Sequence, residues 1–208
     1  MEFIGFPKLA RLNREIVISE KIDGTNAQVC ILPRTEVFSE HAPFIVADFG
    51  ADIMFAGSRT RWITPEDDNY GFAKWVKANA EELFKLGPGQ HFGEWWGQGI
   101  QRKYGLAEKR FSLFNTGRWF DTHDPMAPRI GDEVKAAAPA CCHVVPVLYQ
   151  GLYEEFPILS SLTQLARKGS VAAPGFLNPE GIVIYHTAAK QSFKVTLEND
   201  SVPKSRVA

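Results

Sequence analysis

Residues 15–31 read Glu15-Ile16-Val17-Ile18-Ser19-Glu20-Lys21-Ile22-Asp23-Gly24-Thr25-Asn26-Ala27-Gln28-Val29-Cys30-Ile31. The apolar run EIVIS, and then Ala27, Val29 and Ile31 alternating with polar or small residues, predict two strands around a turn at Asp23-Gly24. Period-two geometry puts the side chains of Lys21 and Asp23 on one face. A lysine amine is a nucleophile only when unprotonated, and desolvation or nearby cations bring that about by disfavouring the ammonium. Asp23 is then placed to orient the amine or what it attacks. Lys-x-Asp-Gly alone is weak evidence, expected by chance in roughly one chain of this length in twenty.

Working outward, Phe44 to Phe49, Ile53 to Ala56, His91 to Trp96, Phe111 to Phe114, Val144 to Tyr149, Gly181 to Tyr185 and Ser192 to Thr196 all read as strands. Thr64-Pro65-Glu66-Asp67 offers an N-cap, a proline at the first helical position and acids in the first turn. A helix is therefore predicted through Phe72, Trp75, Val76, Leu83 and Leu86, ended by Gly87-Pro88. A second, short helix is predicted around Ile158 to Arg167, closed by Gly169. Many short strands with two helices and no regular alternation predict an α+β fold with antiparallel sheets.

The 208 residues carry 23 Lys plus Arg against 24 Asp plus Glu, and 45% are hydrophobic. A fibrous or mainly disordered chain is thereby excluded, and one domain over 1–208 is expected. A net charge of −1 gives no global field for a polyanion. Local basic pairs remain, Arg59 with Arg61, Arg102 with Lys103, Lys109 with Arg110 and Lys204 with Arg206, and read by themselves as solvated surface. No run is long enough to span a bilayer and no secretion signal opens the chain, so a cytoplasmic location and no membrane partner are expected. Cys30, Cys141 and Cys142 suit neither a disulfide framework nor a paired-cysteine zinc site and read as free thiols. His91, His123, His143 and His186 show no metal-ligand spacing and receive no role. Trp95, Trp96 and Trp119 read as packing or cleft walls.

The context of Lys21 is more specific than its own motif. After EKIDGTN come Ala56-Gly57-Ser58-Arg59-Thr60-Arg61, then FGEWWGQGIQ over 92–101, Phe111-Ser112-Leu113-Phe114, Pro179-Glu180-Gly181-Ile182-Val183-Ile184-Tyr185 and Ser192-Phe193-Lys194-Val195. This ordered set, from about Glu20 to Lys194, resembles the covalent nucleotidyltransferases, the superfamily of nucleic-acid ligases and capping guanylyltransferases, and most closely their RNA ligase 2-like branch. The resemblance implies two antiparallel sheets flanked by helices, with a nucleotide-binding cleft between them.

It further implies that Lys21 attacks the α-phosphate of ATP and holds AMP as a phosphoramidate, with Asp23 as the paired acid. Glu20 would sit against the adenine edge, Arg59 would contact the nucleotide or the 5′-phosphate strand, and Glu94 the ribose. Phe114 would stack on the base, with Phe111 and Phe92 as competitors. Glu180 would serve the divalent metal, Mg2+ or Mn2+, and Lys194 would reach the α-phosphate. The chemistry is coherent, since expelling pyrophosphate needs positive charge on the phosphate oxygens in the transition state, and an aromatic face offers roughly 1–3 kcal/mol to a stacked base.

Three departures from the pattern stand out, the first being Asp23 itself, where the closest branch often has His and DNA ligases and capping enzymes have Asp. The last motif usually presents two lysines separated by one residue, and here Thr196 stands at the second; either the metal with another basic residue, Lys190 or Lys204, takes over triphosphate binding, or lysine adenylation is slower than in the pattern. Only a short stretch follows Lys194, so no C-terminal OB or helical domain is expected and a protein partner supplying the nucleic-acid clamp is implied. The reading is an ATP-dependent RNA ligase joining 3′-OH and 5′-phosphate ends. The alternatives are a DNA ligase or an RNA-capping guanylyltransferase, and a nucleotide- or RNA-binding module without turnover.

Overall fold

The computed structural model describes residues 2–124, 135–198 and 200–201. Thirteen strands and three α-helices are assigned among them. The first strand, β1 (Glu15–Lys21), and the second, β2 (Thr25–Pro33), do flank the Asp23-Gly24 turn, but they do not pair with each other. The chain leaves one sheet at Lys21 and enters another at Thr25.

The first sheet has four strands, all antiparallel: β11 (Val147–Leu152), β1, β12 (Gly181–His186) and β13 (Gln191–Thr196), in that order. Alternation sorts its two faces. Ile16, Ile18, Ile182 and Ile184 point to one side and bury against Leu165, Ile158 and Leu162 of helix α3 (Glu155–Lys168). On the other side β1 carries Val17, Ser19 and Lys21, with Val183 and Lys194 directly across from Ser19 on the two following strands. Helix α3 begins a turn earlier than its apolar spacing predicts, because Pro157 falls in the first turn, where a missing N–H costs nothing. It ends as predicted at Gly169, whose φ of +84° and close approach to the Phe176 carbonyl exclude a side chain.

The second sheet runs β10 (His143–Val144), β7 (Lys109–Leu113), β6 (Gly89–Gly97), β2, β4 (Asp52–Ser58) and β3 (Ile45–Asp48), with β5 (Trp62–Ile63) also on β4. It is antiparallel except for the β10–β7 pair. A small parallel pair, β8 (Trp119–Phe120) with β9 (Ala136–Ala137), stands apart. Ala27, Val29, Ile31, Met54, Ala56, Trp95, Phe111 and Leu113 form the buried face of this sheet, against Phe72, Val76, Leu83 and Leu86 of helices α1 (Phe72–Ala78) and α2 (Ala80–Leu83) and the turn after them. Each sheet thus has a helix layer on its outer face, and the inner faces look toward each other. None of the described helices is long and apolar enough to cross a membrane.

Two expectations need correction. The helix predicted from Pro65 starts at Phe72, because Thr64 Oγ1 accepts the Asp67 N–H (3.1 Å) and Arg61 forks onto the Asp67 carboxylate (2.6 and 3.0 Å), which closes that segment as a turn. Asp68 caps the helix instead, accepting the N–H groups of Ala73 and Lys74 at 2.8 and 3.1 Å. The strand predicted from Val144 to Tyr149 is two, split at Pro146, where the chain crosses back to the first sheet and the Pro146 carbonyl accepts the Glu20 N–H (2.9 Å). All three cysteines are free thiols. Lys204 and Arg206 lie outside the described residues.

The crossing at residues 22–24 is tight. A Cβ on Gly24 would come within 2.5 Å of the Trp95 carbonyl oxygen and 2.7 Å of Trp96 Cβ, atoms of the neighbouring strand that have nowhere to move. Gly24→Ala is therefore expected to destabilise the protein by about 1–3 kcal/mol in urea unfolding. Gly117→Ala, which meets nothing closer than 3.5 Å, stays within about 0.5 kcal/mol of wild type. Equal stability of the two variants would contradict this account of the crossing.

Candidate active site

Lys21 ends β1 on the inner face, with Gly181 beside it on β12. Its Nζ lies 2.5 Å from Glu180 Oε2. The ammonium side chain is 22% exposed and the carboxylate only 2%. Burying one carboxylate costs several kcal/mol unless a cation and hydrogen bonds compensate, so Glu180 holds Lys21 in place as firmly as Lys21 holds it. From the other sheet Glu94, on the inner face of β6, accepts the Gly24 N–H at 3.0 Å. Burial pushes the Glu94 carboxyl up to about 7; the Lys21 charge and the Gly24 N–H pull against this, while Glu180 and Asp23 add to it.

Asp23 is held from a loop that bridges the sheets. Its carboxylate takes the Arg102 Nε–H at 3.1 Å, and its N–H donates to Tyr104 Oη at 2.8 Å. Arg102 also donates to the carbonyl and side-chain oxygens of Asn178 (3.1 and 2.7 Å), two residues before Glu180, and lies 3.6 Å from Glu198. Gln101, Lys103 and Tyr104 all have left-handed backbones, with φ of 43°, 60° and 51°. Three such non-glycine residues so close together are costly and persist only where surrounding contacts demand them. Here the contacts are Tyr104 against Trp96 and Phe176 (ring centroids 4.9 and 4.5 Å) and the Arg102 fork. No local motif announces Arg102 or Tyr104, and by spacing alone Arg102 reads as solvated surface.

The remaining residues divide. Lys194 is exposed on the same face as Lys21, one inward-facing position along. Phe114 follows β7 on the face of Ser112 and Glu94, is 41% exposed and donates its N–H to the carbonyl of Phe92, itself exposed. Phe111 is fully buried on the opposite face with Phe72 and Trp95, which removes it as a base platform. Arg59 is exposed in the turn after β4, and no hydrogen bond or ion pair fixes it among the described residues. Glu20, expected against an adenine edge, points to the α3 side because it alternates with Lys21. Its carboxylate accepts Ser170 Oγ–H (2.6 Å) and the N–H groups of Val171 and Ala172 (2.8 and 2.9 Å), while burial raises its pKa.

Thr196 stands across Gly181 from Lys21, on the face of Lys194, but offers no cation there. Its N–H and hydroxyl are spent on Asp200 and the Glu198 carbonyl. Lys190 sits at the far end of β13, six residues away and so roughly 20 Å along the strand. Lys204 is outside the described residues. A cation that does reach this end of β13 is Arg102, through Glu198.

A cavity of about 530 Å³ lies alongside the cluster, lined by Trp96 and Ser112 from the inner face of the second sheet and by Val171 and Ala172 of the segment that Glu20 anchors. Lys21, Glu94 and Glu180 do not line it. The groups with the chemistry and this cavity are therefore neighbours, and the ionisable cluster is the better guide to a reacting centre because it brings an amine against buried carboxylates.

A family model of RNA ligases matches residues 14–196. The chain belongs to the RNA ligase family. No match is found among curated protein sequences. Among solved structures, an apo mutant of Naegleria gruberi RNA ligase is similar at 17% identity and a TM-score of 0.52, over 88% of this chain and 50% of that one. A mutant of the same ligase with ATP and Mn matches at 16% identity and 0.52, over 88% and 49%; one with AMP and Mn matches at 16% and 0.52, over 89% and 50%. This chain spans about half the length of those proteins, and at such identities the likeness concerns the fold, which is the RNA ligase adenylyltransferase type.

The Glu94 shift sets a pH dependence. A carboxyl lifted from 4.5 to about 7 contributes stability that is whole below pH 4.5 and is lost as pH rises through 7, on the order of 3 kcal/mol. Glu94→Gln keeps an acceptor for the Gly24 N–H and carries no charge. It is expected to melt higher than wild type at pH 8, with the gap closing at pH 5; a variant less stable than wild type at pH 8 would contradict the assignment.

Proposed function

We propose that this chain is an ATP-dependent RNA ligase working through a lysyl-AMP intermediate, with Lys21 as the nucleophile. The observation that carries the reading is the Lys21 amine set against the buried Glu180 carboxylate, with Glu94 facing it from the opposite sheet. The Lys21 ammonium first gives up a proton, for which Glu180 and Glu94 are the acceptors at hand, and Glu94, titrating near neutrality, is suited to take and return one. The free amine attacks the α-phosphorus of ATP; the N–P bond forms, the bond to the bridging oxygen breaks and pyrophosphate leaves. An oxygen of a 5′-phosphate end then attacks the AMP phosphorus and releases the amine, and a 3′-OH finally attacks the activated 5′-phosphorus and expels AMP.

Lys194, on the Lys21 face, offers positive charge to the α-phosphate oxygens. Phe114, with Phe92 beside it, offers a ring to the base, and Glu94 the ribose contact. Exposed Arg59 is available to a phosphate of nucleotide or RNA. Asp23 is a positioning residue, since Arg102 and Tyr104 fix it and with it the turn that carries Lys21. Glu20 supports the 170–172 segment.

The residues fit a divalent cation. Three carboxylates, of Asp23, Glu94 and Glu180, gather with two cations, Lys21 and Arg102; burial is the main cause of the raised Glu94 carboxyl, and the Glu180 and Asp23 charges add to it. Glu180 would hold the ion, Mg2+ or Mn2+ by its oxygen ligands. When bound, the ion supplies charge to the phosphate oxygens.

Incubation with ATP labelled at the α-phosphate, followed by denaturation and peptide mapping, tests the reading. An acid-labile AMP adduct on Lys21 is expected. Lys21→Ala abolishes it, and Glu94→Ala, Glu180→Ala and Lys194→Ala slow it at least about 100-fold. Labelling by GTP in preference to ATP would point to capping chemistry, and reversible ATP binding with no adduct to a binding module. A chase with nicked RNA, DNA and hybrid duplexes distinguishes an RNA ligase from a DNA ligase.

A further inference from the structure

Away from the Lys21 cluster, the fold brings His143 against Asp121 and His123, a pair from an earlier part of the sequence. Asp121 follows β8, His123 lies two residues on, and His143 opens β10. One donor atom from each lies within 4.8 Å of the others. The imidazole rings are 4.4 Å apart between centroids and tilted by 35°. His143 Nδ1 stands 3.3 Å from Asp121 Oδ2. That is close to the edge spanned by two ligands bonded at about 2.0–2.1 Å to a tetrahedral ion.

The supports of His123 and Asp121 are those of metal ligands. His123 Nε2–H donates to the Ala140 carbonyl at 2.8 Å, which leaves Nδ1 with its lone pair. Ligating imidazoles are fixed in just this way, the second ring N–H being given to a backbone carbonyl or a carboxylate. Asp121 is anchored by backbone, its two oxygens accepting the His123 N–H (2.8 Å) and the Val144 N–H (3.0 Å). A plain His143–Asp121 ion pair needs neither His123 nor its fixed tautomer.

We propose that Asp121, His123 and His143 bind one divalent transition metal of the zinc class. Two nitrogens and one oxygen suit zinc or cobalt(II) better than magnesium, which favours oxygen alone. Three protein ligands leave a fourth position, and all three residues line the 530 Å³ cavity, together with Arg110 and Lys135. The site shares no residue with the Lys21 cluster, so its occupancy is independent of ATP chemistry.

The test is titration of the metal-free full chain with cobalt(II), read by its visible ligand-field bands, and then displacement by zinc. One equivalent is expected to give the intense bands of a nitrogen-ligated, low-coordinate ion, which zinc bleaches; an ion held by oxygen alone at Glu180 gives only weak bands. His123→Ala and His143→Ala each weaken binding at least about tenfold, whereas Glu94→Gln and Cys141→Ser leave it unchanged. His123 is exposed, so its variant carries the test if His143→Ala fails to fold by circular dichroism. No saturable binding to wild type, bands that survive His123→Ala, or bands lost in Glu94→Gln or Cys141→Ser would each overturn the proposal.

Discussion

A buried carboxylate against a lysine amine organises the inner face of this protein. Glu180 is almost wholly removed from solvent, and a lone carboxylate there would be too costly for a domain of ordinary stability. The Lys21 ammonium offsets that cost, and in doing so fixes the end of β1 against the start of β12. The chain then has three residues in which to reach the second sheet, and Gly24 passes so close to Trp95 and Trp96 that no side chain is admitted. Charge compensation and the tight crossing thus occur at one place, which is why the amine and the acids of both sheets meet there.

The loop after β6 closes that arrangement. Its left-handed residues would not persist in isolation; Tyr104 packed between Trp96 and Phe176, and Arg102 forked between Asp23 and Asn178, hold them. Through Asn178 the same arginine restrains the approach to Glu180. One loop therefore ties the turn after Lys21 to the residue that compensates it, so that rigidity at the amine is distributed over both sheets.

Much of this was legible in the sequence, and for physical reasons. Period-two patterning identifies most of the strands, and the resemblance carried by the ordered motifs implies a shared cleft for Lys21, Glu94 and Glu180. The same alternation should have warned that Glu20 faces away from Lys21. The helix at Thr64 was misread because a cap signal competes with an Arg61–Asp67 fork that depends on tertiary placement. Arg102, Tyr104 and the Asp121–His123–His143 group were not legible at all. Arg102 and Tyr104 meet Asp23, and His143 meets Asp121 and His123, across long stretches of sequence, and nothing in their local spacing distinguishes them from surface or packing residues.

The central claim is that the Lys21 nitrogen exchanges its ion pair with Glu180 for a covalent bond to phosphorus. A crystal structure of the protein after incubation with ATP and Mn2+ tests this most directly. The account requires continuous density from Lys21 Nζ to the phosphorus of AMP, with the base against Phe114. A nucleotide lodged elsewhere, with Lys21 still resting on Glu180, would contradict it.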